Sequence, residues 1–161
     1  MRDRKGAFTT VDYPGAPETL LTEINERGRI VGAYSEDPGG INVAPRNFVL
    51  NRGAYTPIEP PGASLTVIDD VNNRGEIVGL YIDAGGVNHG FLRDRRGGYS
   101  PIDHPGATPL GSASGGINDR GWIVGEYYDY LNTDTSSSGL RLRSLDAEGP
   151  PGPLGGLQLA R

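Results

Sequence analysis

No cysteine occurs in the 161 residues, so composition alone excludes disulfides and thiolate metal sites, while leaving the redox compartment open. Histidine is scarce as well, with two residues, and the chain has one tryptophan and one methionine. No apolar run approaches the roughly 20 residues that a membrane-spanning helix needs. Met1-Arg2-Asp3-Arg4-Lys5-Gly6 carries charge with no apolar segment behind it, which is not the pattern of a signal peptide. The basic residues stand singly in a chain of formal charge −5. That argues against a nucleic-acid partner, whose phosphates call for a concentrated basic surface.

What is abundant is turn chemistry. Glycine contributes 26 residues and proline 13, against an apolar fraction of 35%. Because these residues recur with a period, they point to many short strands joined by tight turns rather than to low complexity. The segment Ile24-Asn25-Glu26-Arg27-Gly28-Arg29-Ile30-Val31-Gly32 returns as Val71-Asn72-Asn73-Arg74-Gly75-Glu76-Ile77-Val78-Gly79. It returns again as Ile117-Asn118-Asp119-Arg120-Gly121-Trp122-Ile123-Val124-Gly125. Gly28, Gly75 and Gly121 lie 47 and then 46 residues apart. A second motif precedes the first: residues 7–16, beginning Ala7-Phe8-Thr9, match residues 54–63 and 98–107, each ending in Pro-Gly-Ala.

Each copy predicts four short strands. In the first copy these are residues 8–12, 20–25, 29–34 and 47–50. Asn-x-Arg-Gly is a hairpin loop in which glycine takes the positive-φ position. The strand beginning Ile30-Val31 is apolar on both faces, as are Ile77-Val78 and Ile123-Val124, which predicts a strand held between layers. Gly32, Gly79 and Gly125 weaken such a strand unless a bulge or a close backbone approach requires them, and the neighbouring copy is the expected approach.

These motifs resemble the bacterial extracellular HAF repeat. Its unit is similar to Ile-Asn-x-x-Gly-x-Ile-Val-Gly-x-Tyr, then a Gly-Phe-Leu strand, here His89-Gly90-Phe91-Leu92, then Tyr-Thr-x-Ile-Asp-x-Pro-Gly-Ala. The resemblance covers roughly residues 1–130 and implies a secreted or surface protein without catalytic residues to carry over. Members of that family carry more copies than this, and Met1 aligns inside a strand of the second copy. A truncated or frameshifted chain is the expectation.

The fold expected is all-β: a partial β-propeller of about three four-stranded blades, with a β-trefoil as the alternative. Residues 1–130 hold the tandem repeats (about 1–50, 51–96 and 97–140, the last degraded, with residues 138–141 as a remnant strand). Residues 147–161 form a Pro- and Gly-rich tail expected to be disordered.

Few residues stand out chemically. Asp12, Glu59 and Asp103 share one repeat position and are expected to cap turns. Asp69 and Asp70 offer oxygen ligands, but the other copies lack these acids and the spacing fails the calcium-loop pattern. His89 and His104 are expected in strand packing and turn hydrogen bonds. No cofactor or metal is implied. Trp122, which replaces Arg29 and Glu76, together with Tyr128 and Tyr130, forms the candidate ligand-binding set, since exposed aromatics stack on sugars or anchor partners. Tyr127 repeats Tyr34 and Tyr81 and reads as core.

The function expected is a non-catalytic extracellular scaffold or interaction module with a protein or glycan partner. A carbohydrate-binding module is the alternative, and a fragment of a propeller enzyme a third reading. Three units in an open arc leave two terminal faces bare, so self-association through the ends is also expected.

Overall fold

The computed structural model describes residues 1–42, 45–108, 111–131 and 139–147. Among them the fold is all-β, in three antiparallel sheets. The first sheet runs in chain order through β1 (Glu18–Ile24), β2 (Ile30–Ser35), β3 (Arg46–Asn51) and β4 (Ala54–Ile58). The second repeats that order with β5 (Ala63–Val71), β6 (Ile77–Asp83), β7 (Asn88–Arg93) and β8 (Tyr99–Ile102). The third contains β9 (Ser112–Ile117), β10 (Ile123–Leu131) and β11 (Gly139–Ala147), with β10 in the middle.

Sheet phase differs from the sequence expectation. Residues 8–12 form no strand, and Phe8 makes a single bridge to Arg2. Their copies close a sheet instead of opening one: β4 pairs with β3 and β8 with β7. The reason is local. Arg52 and Gly53, at φ +52° and +83°, form a two-residue turn that folds β4 straight back onto β3. The remnant strand expected at residues 138–141 is longer than foreseen, since β11 pairs along all of β10. Beyond Ala147 the proposed tail lies outside the described residues.

The glycine of the central strand has a specific cause. A Cβ on Gly32 would run into the carbonyl oxygen of Leu20, one on Gly79 into that of Val67, and one on Gly125 into that of Ala113. Each obstructing carbonyl belongs to the first strand of the same sheet, not to the neighbouring copy as the sequence suggested. In each pair the register slips beside the glycine, at Leu21/Glu23, Ile68/Asp70 and Val124/Gly125. The glycine therefore makes room for a β-bulge.

One loop design closes six turns. An Asn or Asp accepts through Oδ1 from the backbone N–H groups two and four residues on, and a positive-φ glycine stands three residues on. Asn25, Asn72 and Asn118 head the loops joining the first two strands of each sheet, with bonds of 2.9–3.1 Å. Asp3, Asp83 and Asp94 head the other three, at 2.8–2.9 Å. The side chain does the work of a backbone carbonyl, which is why these residue types favour turns.

The core lies between sheets. One cluster joins Val31, Val49 and Ile58 of the first sheet to Ile68, Val71, Ile77 and Phe91 of the second. The next joins Val78 of the second sheet to Ile117 and Ile123 of the third, with Leu92 and Ile102 packed against them. β5 crosses the face made by β1–β3, and β9 crosses the face made by β5–β8. β2 is buried throughout, as the doubly apolar pattern predicted: one face packs on the second sheet, and Tyr13 stacks on Tyr34 of β2 with ring centroids 3.6 Å apart.

Candidate functional site

The edge formed by the three Asn-headed loops has the most organised chemistry. With Oδ1 occupied inside its own loop, each asparagine has its Nδ2 left to donate. Asn25 gives it to the Asn72 carbonyl at 2.8 Å, and Asn72 gives it to the Asn118 carbonyl at 3.1 Å. A second row runs beside this ladder. The Glu26 N–H donates to Asn73 Oδ1 at 2.9 Å, and the Asn73 N–H to Asp119 Oδ1 at 2.7 Å. Asn73 Nδ2 adds a bond to Asp119 Oδ2 at 2.8 Å. The Asn73 side chain, and then its N–H, hold the Asp119 carboxyl below its ordinary range. A third row comes from arginines: Arg29 Nη1 donates to the Gly75 carbonyl at 3.0 Å, and the Arg74 guanidinium lies over Gly121.

Trp122 sits at the end of this edge, 43% exposed. Its N–H donates to Asn118 Oδ1 at 3.1 Å, which fixes the start of β10. Tyr128 is half-buried in β10, six residues further along. That separation corresponds to about 20 Å of strand, so Trp122 and Tyr128 do not share one binding surface. Tyr130 lies in β10 as well, and its side chain falls outside what is described. Tyr127 is buried, as its equivalence to Tyr34 and Tyr81 implied, and stacks on His104 with ring centroids 3.7 Å apart. Gly28, Gly75 and Gly121 take φ of +75°, +85° and +84° in equivalent loops.

A second cluster lies at the opposite end of the strands, unforeseen from the sequence. His89 stands between two carboxylates: Nδ1 is 2.9 Å from Asp103 and Nε2 is 3.4 Å from Asp83. Desolvation pulls the imidazole pKa down, and Asp103 and then Asp83 outweigh it, so the net shift is upward. The first sheet repeats the arrangement with Arg46, 3.1 Å from Glu36 and 3.8 Å from Glu59. Glu59 and Asp103 therefore meet a basic side chain of the third strand, Arg46 and His89 respectively, rather than capping a turn. The signal was present in the sequence, because Arg46 and His89 occupy one repeat position. His104 Nδ1 accepts the Gly106 N–H at 3.0 Å, the turn role expected of it.

Asp69 and Asp70 lie at the β5 bulge. Asp70 accepts the Ile117 N–H at 2.9 Å and so ties the second sheet to the third. Burial, then Asp70 and Glu126, push the Asp69 carboxyl up to about 6. Among the described residues no three His, Asp or Glu side chains converge as a metal site, and no helix is long and apolar enough to cross a membrane. Comparison with family models, curated proteins and solved structures finds no match.

Proposed function

We propose that the chain is a non-catalytic, extracellular β-repeat scaffold of the HAF type, arranged as an open arc of propeller-like blades. One observation carries the reading: the same contacts recur from each sheet to the next. The asparagine donates to the following loop, and the second residue of the central strand is buried against the following sheet. Stacking of that kind is the organisation of a repeat array, where each unit is stabilised chiefly by its neighbours. Successive four-stranded meanders support blades over a trefoil, which would pair strands of different units in one barrel. The extracellular assignment rests on the sequence resemblance.

A carbohydrate-binding module is the alternative, favoured by the exposed indole of Trp122. Trp122 is the single tryptophan, so its emission reports directly on that reading. A glycan array with wild type and Trp122→Ala side by side decides between the two. The scaffold reading expects no saturable signal from either protein. Saturable binding lost on Trp122→Ala would replace it with the carbohydrate-binding one.

A further inference from the structure

We infer that the outer face of the third unit is a docking surface for the first unit of a second copy of this chain, joined head to tail. The inference rests on the scaffold reading and deepens it by naming the partner. Its basis is that each end unit exposes apolar and polar groups whose copies are matched inside the molecule.

The apolar parts come first. Val31 and Val78 point toward the following sheet and are 0% exposed, whereas Val124, at the same repeat position, is 53% exposed. On the receiving side Val71 and Ile117 are 5% and 7% exposed, whereas their counterpart Ile24 is 53% exposed. Val124 and Ile24 are thus exposed at positions that the internal contacts bury, one on each end unit, while Ile30 and Phe48 of the first unit are already covered, at 6% and 0% exposed. A second copy covers both exposed residues at once, and Ile24 of one chain meets Val124 of the other.

The polar parts agree with the same placement. Asn118 has its Oδ1 fixed by its own loop, as Asn25 and Asn72 do, yet its Nδ2 finds no acceptor among the described residues. The acceptor that the ladder calls for is the carbonyl of an Asn25, which among the described residues receives the Gly28 N–H. The third row is also open at both ends. Arg29 and Arg74 cover Gly75 and Gly121, while a Cβ on Gly28 would meet nothing within 4 Å. The two arginines come from different repeat positions, Arg29 matching Glu76 and Trp122, and Arg74 matching Arg27 and Arg120. Docking as Arg29 does would set the Trp122 indole over the partner's open Gly28 loop.

The contact is heterologous, because it joins two different faces. Such contacts close into a ring if the rotation per unit allows and otherwise continue as an open chain. Sedimentation and Trp122 emission, followed together between about 1 and 100 µM, test the inference. Wild type is expected to gain mass with concentration while its emission moves to shorter wavelength. Val124→Lys and Ile24→Lys alter residues that are half exposed in the monomer, so each variant should keep the wild-type circular dichroism and cooperative melt. Each alone should be monomeric, with red-shifted emission throughout. An equimolar mixture of the two retains one intact pair of faces and is expected to form a heterodimer that stops at twice the monomer mass.

A wild type that stays monomeric at 100 µM with a cooperative melt would overturn the docking and leave the scaffold reading intact. Self-association of Ile24→Lys alone would also overturn it, by showing that Val124 faces pair with each other. A mixture that remains monomeric would do the same. Saturable glycan binding by a monomer would instead remove the scaffold reading itself.

Discussion

Val78 and Val124 hold the same place in two copies of one sequence, each preceded by isoleucine and followed by glycine in a central strand. The first is wholly buried and the second is half exposed. Local sequence, strand type and bulge are alike at the two positions, so none of these sets the difference. The following sheet does. Burial at this position is therefore set by the neighbouring sheet rather than by the strand's own sheet. The middle of the chain and its ends should respond very differently to the same change.

The largest contrast comes from a buried charge. Val78→Lys should lower unfolding free energy by at least about 4 kcal/mol, and Val124→Lys by no more than about 0.5 kcal/mol. Urea unfolding below the concentration of self-association measures both, and equal losses would break the comparison. Next in size is Gly79→Ala, whose Cβ would collide with the Val67 carbonyl and crowd the Phe91 ring. A cost of about 1–3 kcal/mol follows from overpacking. Gly115→Ala is the control: its Cβ approaches nothing nearer than the Val124 carbonyl at 3.9 Å, and it should change stability by less than about 0.5 kcal/mol.

The ladder gives a smaller and sharper contrast. Asn72→Asp retains the loop acceptor, loses the donor to Asn118 and to Glu76, and sets a new carboxylate against that of Glu76, so at least about 1–2 kcal/mol should be lost. Asn118→Asp, whose Nδ2 has no acceptor among the described residues, should leave thermal stability almost unchanged.

Acidity has the smallest effect, and two groups act in one direction. His89 has a raised folded pKa against an ordinary value of 6.5. Its contribution is complete below about 6.5 and lost as pH rises through the folded value. Asp69, raised from 3.8 to about 6, costs stability above about 6, and this penalty is relieved as pH falls toward 3.8. Wild type should thus be more stable at pH 5.5 than at pH 8, with the difference held below about 1 kcal/mol by solvent screening. His89→Gln and Asp69→Asn should each flatten the profile, His89→Gln by removing the low-pH gain and Asp69→Asn by raising the value at pH 8. A chemical-denaturation series across that range would expose an opposite slope.

Much of this architecture was legible because its determinants are local. The Asn-x-Arg-Gly loops, the positive-φ glycines and the doubly apolar central strand follow from residues close together in the chain. Tyr127 was read as core from its alignment with Tyr34 and Tyr81. Sheet phase was not legible, because whether residues 8–12 or 54–58 become a strand depends on a partner that the motif itself does not specify. The bulge glycine was assigned to the wrong neighbour for a related reason: a sequence shows that backbone comes close without showing which backbone. The His89 cluster was missed since its three members come from a strand end, the next strand and the segment after the fourth strand. Trp122 is exposed, as its place opposite Arg29 and Glu76 suggested, but the sequence joined it to Tyr128, which the extended strand carries away.

The loops that serve the ladder differ from those facing solvent by one atom group: an amide nitrogen in Asn25, Asn72 and Asn118 where Asp3, Asp83 and Asp94 carry oxygen. Asparagine is among the thermolabile residues. Hydrolysis of its side-chain amide takes up water, releases ammonia and leaves a carboxylate. Chemical ageing of Asn72 would therefore rewrite a stacking loop as a solvent loop: Oδ1 keeps both of its backbone donors, while the donor to Asn118 is lost and the new carboxylate stands against Glu76. The lifetime of the contact between the second and third sheets is then tied to how well those two N–H groups hold the amide still.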